Sequence, residues 1–264
     1  MFPYFTLFNK TIYMYAFMAI VGGLIAGWFT CIQARKKNLN VDDVIVWMLM
    51  ICIGIFCGGH IFYAITNYDK FYLLLHAGSI KQFVNGFTIV FGGSVFYGGL
   101  IGGFSVGMIH LAVRHSDIAE HADIIAPAVP LFHGFARIGC FLGGCCYGIE
   151  STFGFTYTHS LVEAANNVNR FPVQLLESAC NFALFAVLWM MLSKGKLKGM
   201  LFPMYILMYS VIRFSDEFLR GDSIRGFVGC LSTSQFVSII LFVISAGFII
   251  FASIKKHNHV ESEL

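Results

Sequence analysis

Charge is what this sequence has least of. Only 12% of its 264 residues are Asp, Glu, Lys or Arg, about half the share that a soluble domain needs to cover its surface. A soluble globular protein is therefore excluded. Proline is scarce as well, at five, and no low-complexity tract occurs, which leaves no room for a disordered arm. The net charge of +3 is small and divided among apolar segments, which argues against a nucleic-acid partner. The eight cysteines include no pair at the CxxC spacing of structural zinc, so no metal is expected. Most of them lie in apolar segments, where a thiol behaves as a small hydrophobe. The first residues, MFPYFTLFNK, lack the basic start of a cleavable signal, and none is expected.

What the chain has is apolar length. It is 58% hydrophobic with a mean hydropathy of +0.76, and long apolar runs recur, which makes a helical membrane protein rather than a barrel. Seven spans are expected, near 12–33, 44–65, 87–112, 122–146, 173–193, 200–219 and 235–254. The fold class is all-α, a polytopic membrane protein with about seven transmembrane helices forming a single integral membrane domain over 1–264. Nine Lys and Arg residues follow spans one, three, five and seven, against six on the opposite side, with Arg137 and Arg213 inside spans. The more basic side is cytoplasmic, which predicts an external N-terminus and a cytoplasmic C-terminus. The outer connections, about 66–86 and 147–172, are long enough for a short interfacial helix each, and a substrate entrance is expected there.

The stretch from His133 to Gly148, HGFARIGCFLGGCCYG, breaks the apolar rule most sharply. An ionised arginine at the centre of a lipid-facing helix costs about 3 kcal/mol on insertion scales, so Arg137 must face protein, water or an anion. His133 lies one helical turn earlier on the same face. In the sixth span Tyr209, Arg213 and Glu217 recur every four residues and form one stripe. An Arg213–Glu217 pair admits a simple reading as self-neutralisation near the membrane edge. An arginine held by a glutamate is equally a preorganised anion clamp, whose rigid fork matches phosphate oxygens. The second reading is preferred because Arg137 supplies another such group.

In the third span, Tyr97-Gly98-Gly99-Leu100-Ile101-Gly102-Gly103 reads first as close helix packing, although a glycine run beside a phosphate looks the same. Tyr97 and Tyr15 are its polar neighbours to watch. Phe171-Pro172-Val173-Gln174-Leu175-Leu176-Glu177 has the proline and the early acid of a helix start. His60, His110, Asp123 and Asn85 read as satisfied polar groups at span ends. Cys145-Cys146 admits a vicinal disulfide or, with Cys140 and His133, a weakly signalled metal site.

Taken in order, these segments resemble the bacterial prolipoprotein diacylglyceryl transferases from the first span to the last. The resemblance rests on Tyr15 with Gly22; Tyr97-Gly98-Gly99-Leu100-Ile101-Gly102; Asp123-Ile124-Ile125-Ala126-Pro127; Arg137-Ile138-Gly139-Cys140-Phe141 ending in Gly148; Pro172 with Gln174 and Glu177; and Tyr209, Arg213 and Glu217. It implies an enzyme of the bacterial inner membrane that moves the diacylglyceryl group of phosphatidylglycerol to the lipobox cysteine thiol of a preprolipoprotein, releasing glycerol 1-phosphate without a cofactor. On that reading Arg137 and Arg213 clamp the phosphate and Glu217 orients Arg213. Tyr15, Gly98, Gly99, Gly102, Gly139, Cys140, Gly148 and Tyr209 line the substrate. This chain departs from the family where many members carry a histidine, here Tyr97, and where asparagines and an acid give way to Cys140, Gly143 and Cys145. The base is then His133 or Tyr97. Two other classes stay open: a diverged member acting on another acceptor, and a membrane lipid-binding or transport protein without chemistry. A thiol-redox membrane protein is a weaker third.

Overall fold

A computed structural model describes residues 2–222 and 226–262, the last seven as backbone alone. Arg225, counted above among the outer charges, lies outside the described residues. The chain divides into two compact units, one of residues 1–30 with 119–264 and one of residues 31–118.

The first unit opens with a hairpin of β1 (Tyr4–Leu7) and β2 (Lys10–Tyr13). Its two-residue turn puts Phe8 and Asn9 at positive φ, the backbone twist that tight hairpins favour. The chain enters α1 (Met14–Lys36), which ends on Arg35 and Lys36 where cations suit the helix dipole.

The second unit is built on α2 (Val41–Thr66) and α5 (Phe96–Val113), its most extensively packed pair. Asn40 caps α2 by accepting from the Asp42 amide at 2.9 Å, and Asp42 and Asp43 occupy its first turn. Between them come α3 (Tyr72–Leu75) and α4 (Ile80–Phe91), so the connection at 66–86 holds short helices. The expected third span at 87–112 is not one helix. It breaks at Gly92-Gly93, where two poor helix formers coincide, and the Val95 amide finds its partner across the gap on the Gly59 carbonyl at 3.0 Å. An irregular turn survives in an apolar setting only if its backbone groups are paired in this way.

The α2–α5 contact explains the glycines. A Cβ on Gly58 would lie 2.9 Å from the Gly102 Cα, and a Cβ on Gly98 would lie 2.6 Å from the Gly58 carbonyl oxygen. Backbones meet there with no side chain between them, which is the close-packing reading. Trp47 adds a buried indole N–H donated to the Gly107 carbonyl at 3.1 Å. Gly102→Val is expected to destabilise the protein by about 2 kcal/mol, as overpacking does, and a drop in its unfolding midpoint in detergent checks this.

The chain returns to the first unit through α6 (Ile118–Ile125) and α7 (Ala128–Gly143), separated at Ala126-Pro127 because proline has no amide to continue the ladder. The connection at 147–172 holds a strand pair, β3 (Glu150–Thr156) with β4 (Asn169–Arg170), and a 3-10 turn over Glu163–Ala165. α8 (Val173–Ser193) follows. α9 (Leu201–Asp216) is extended by a 3-10 turn over Glu217–Leu219. A short ladder of β5 (Phe227–Val228) and β6 (Leu231–Ser232) leads into α10 (Thr233–Ser262). Asp123 joins two of these elements, accepting from the Gly199 amide at 2.6 Å and the Leu201 amide at 3.0 Å at the start of α9.

α7, α8 and α9 pack in sequence around Leu184, Leu188, Leu192, Leu201 and Tyr205, and Phe29 of α1 packs with Leu131. Among the described residues six helices are long and apolar enough to cross a bilayer: α1, α2, α5, the α6–α7 segment, α8 and α10. α9, the sixth expected span, is shorter, at about 24 Å by helical rise. Only 11% of the apolar window of α10 is buried, and such a surface needs lipid rather than water around it. The chain is an all-α multi-pass membrane protein.

Candidate anion-binding site

Helix register builds the site. His133, Arg137 and Cys140 share one face of α7 at intervals of four and three residues. Gly139 lets α7 approach α1: a Cβ there would lie 3.1 Å from the Tyr15 Cα and 3.0 Å from Met18 Cβ. Tyr15 thereby comes within electrostatic reach of Arg137 and the nearby cysteines.

On α8, Gln174, Glu177, Ser178 and Asn181 are all buried, a polar stripe at helical spacing on an otherwise apolar helix. Ser178 donates to the Gly134 carbonyl at 2.8 Å and fixes α8 against α7. Glu177, 1% exposed, pairs with Arg137 at 2.8 Å through Oε1 and lies 3.9 Å from Arg220 through Oε2. Tyr209 of α9 donates to Glu177 Oε1 at 3.5 Å, and its ring lies 5.3 Å from that of His133. One turn further, Arg213 pairs with Glu217 at 2.7 Å and donates to Ser234 of α10 at 2.8 Å.

Past α9 the chain crosses back as a strap. Gly221 donates to the Tyr147 carbonyl and Ile149 donates to the Leu219 carbonyl, each at 3.0 Å, with Gly148 bridged to Arg220. A Cβ on Gly148 would lie 3.0 Å from the Leu219 carbonyl oxygen, so this glycine serves a close backbone crossing. The strap delivers Arg220, which Asp222 grips with two bonds of 3.0 Å. Arg170 braces the same region, donating to the Ala164 carbonyl at 2.7 Å with its guanidinium 4.2 Å from the centre of the Tyr147 ring.

Three arginines thus enter an apolar interior, with side chains 18% (Arg137), 12% (Arg213) and 2% (Arg220) exposed. Each has a carboxylate partner, which lets the cluster exist in a low dielectric. Charge balance does not exhaust their hydrogen bonding. Among the described residues, Arg213 Nη1, Arg220 Nη1 and His133 Nδ1 are buried without a hydrogen-bond partner, as are Glu177 Oε2 and Asp216 Oδ2. His133 is within electrostatic reach of both Arg137 and Arg213, and Asp216 of all three arginines and Glu177. Directed N–H groups in a dry, preorganised setting are suited to an oxyanion, and to a phosphate above all.

The first unit therefore brings together Tyr15, His133, Arg137, Gly139, Cys140, Gly148, Tyr209, Arg213 and Glu217 from the sequence reading. Tyr97, Gly98, Gly99 and Gly102 belong to the second unit, where Tyr97 is 41% exposed and the glycines pack on α2. Sequence reasoning missed two members. Glu177 reads as a helix-start acid, and the stripe with Gln174, Ser178 and Asn181 is the signal that distinguishes it. Arg220 reads as a loop charge, and nothing local marks it.

Apolar helices closing over a set of arginines with unpaired N–H groups define a multi-pass membrane protein fitted for an anionic head group. The chain belongs to the prolipoprotein diacylglyceryl transferase family, whose model matches residues 3–251. It is 35% identical over 250 residues to the phosphatidylglycerol–prolipoprotein diacylglyceryl transferase of Clostridium tetani (strain Massachusetts / E88), covering 94% of this chain and 95% of that protein. A second protein of that name, numbered 2, from Clostridium perfringens (strain 13 / Type A) is 35% identical over 261 residues, covering 97% and 96%. Clostridioides difficile (strain 630) has one at 27% over 260 residues.

Proposed function

We propose that this chain transfers the diacylglyceryl group of phosphatidylglycerol to the lipobox cysteine of a preprolipoprotein in the bacterial inner membrane, with its N-terminus outside. The carrying observation is the buried Arg137–Glu177–Arg220 set with Arg213 on the neighbouring helix stripe. Transfer forms a carbon–sulfur bond as the bond between the glyceryl carbon and the phosphate oxygen breaks, and glycerol 1-phosphate leaves with the electron pair. Negative charge grows on that phosphate, and guanidinium N–H groups already in place lower the barrier without reorganising. Arg137 and Arg213 are the clamp, Glu217 and Glu177 hold their forks, and Tyr15 and Tyr209 contact the head group.

The acceptor thiol, with an ordinary pKa near 8.5, loses its proton at a cost of roughly 2 kcal/mol at neutral pH unless a base takes it. His133 fills that role, one turn from Arg137 and with Nδ1 free of partners among the described residues. A second acyl chain makes the product's anchoring stable, since one chain alone binds marginally.

Protein reconstituted with acyl-labelled phosphatidylglycerol and a lipobox peptide is expected to label the peptide's cysteine and release one glycerol phosphate per transfer. Lipid retention with no glycerol phosphate released would establish a binding protein instead. His133→Ala is expected to slow transfer about 10²-fold, the usual contribution of a positioned base, with the loss shrinking as pH rises; an unchanged rate excludes the histidine.

A further inference from the structure

The transfer chemistry leaves three thiols unused. Cys140, Cys145 and Cys146 are free, and their sulfurs all lie within 4.8 Å of one another. Local backbone geometry creates this cluster. α7 ends in a turn with Gly144 at φ 73°, the Gly144 amide donating to the Phe141 carbonyl at 3.3 Å and the Cys145 amide to the Cys140 carbonyl at 3.2 Å. That reversal folds Cys145 back over Cys140, with its thiol 3.8 Å from the Cys140 carbonyl oxygen. Cys146 then adopts φ 56°, a left-handed conformation that a side chain rarely takes, and this points its sulfur at the other two. The turn is pinned from outside: Gln174 donates to the Cys145 carbonyl at 2.9 Å and Ser160 to that of Gly144 at 3.1 Å.

From this geometry we infer that Cys140, Cys145 and Cys146 form a three-thiolate site for a thiophilic d10 cation of the zinc class. Sulfurs about 2.3 Å from such an ion stand about 3.8 Å apart, so the trio needs only a small side-chain rotation to close. Thiolate ligands select soft cations over magnesium or calcium. Arg220 and Arg137 both lie within electrostatic reach of Cys146. Three thiolates around a divalent ion carry a net negative charge, and Arg137 Nη1 is already 3.9 Å from Cys140 Sγ. Metal loading therefore competes for the arginine that the transfer reaction uses.

The test uses the full chain in detergent, reduced with a phosphine and titrated with Cd2+ as the probe, read by thiolate-to-cadmium ultraviolet absorption. One Cd2+ per chain is expected, displaced by excess Zn2+. Cys146→Ser is expected to weaken binding at least ten-fold, while Cys180→Ser, which removes a thiol outside the cluster, leaves it intact. No absorption from the reduced wild type, or equal affinity in Cys146→Ser, overturns the site. The wild-type titration stands whether or not a variant folds. Coupling to Arg137 rests on the transferase reading: Cd2+ is expected to lower wild-type transfer more than ten-fold and to spare Cys146→Ser. Cd2+ bound at an undiminished transfer rate overturns the coupling. A full cadmium band in a preparation without any transfer counts against the transferase reading and leaves the metal site standing.

Discussion

Arg137→Ala is expected to lower the rate of diacylglyceryl transfer by about 10²- to 10³-fold, the loss typical when one preorganised donor to a developing oxyanion is removed. The effect is large because α7 carries no second arginine: Arg213 and Arg220 reach the site from α9 and from the strap. Arg137→Lys separates charge from geometry. Lysine keeps the positive charge but presents a point rather than a fork, so it is expected to recover little of the rate. Transfer assayed on protein matched for folded fraction by its unfolding midpoint decides this. A lysine variant at wild-type rate would show that charge alone suffices and that the fork is not used.

Glu177→Ala is expected to have the larger effect on stability. It leaves Arg137 and Arg220 facing each other in an apolar interior without their shared carboxylate, and breaking a buried pair by removing one partner costs roughly 3–5 kcal/mol. Glu177→Gln keeps the shape and the Tyr209 contact but not the charge, so it lands between wild type and alanine in unfolding midpoint while losing transfer as well. Equal midpoints for wild type and Glu177→Ala would mean that the pairs at 2.8 and 3.9 Å contribute nothing to holding α7, α8 and the strap together.

The apolar runs were legible because bilayer length imposes them, and five of the seven expected spans begin and end within a few residues of the observed helices. The break at Gly92-Gly93 was hidden inside one such run, since hydropathy does not register that a backbone amide has changed partner from its own helix to Gly59. The end of α7 was hidden in the same way: the apolar run continues to Cys146 although the helix stops at Gly143. That turn converts three cysteines, out of register for one helix face, into a cluster. Arg137 and the Tyr209–Arg213–Glu217 stripe stood out because intramembrane charge is expensive. Arg220 and Glu177 did not, because one looked like a loop charge and the other like a helix-start acid. Their partnership spans 43 positions and exists only once the strap has crossed Gly148.

The central claim, that guanidinium groups on α7 and α9 hold one phosphate, is tested most directly by a double-mutant cycle on phosphatidylglycerol transfer with Arg137→Gln, Arg213→Gln and the pair. Two groups on one anion interact, and the account predicts a coupling of about 0.5–3 kcal/mol, the pair losing less than the product of the two single losses. Strict additivity, or a wild-type rate for Arg213→Gln, would place the two arginines on different tasks and contradict it.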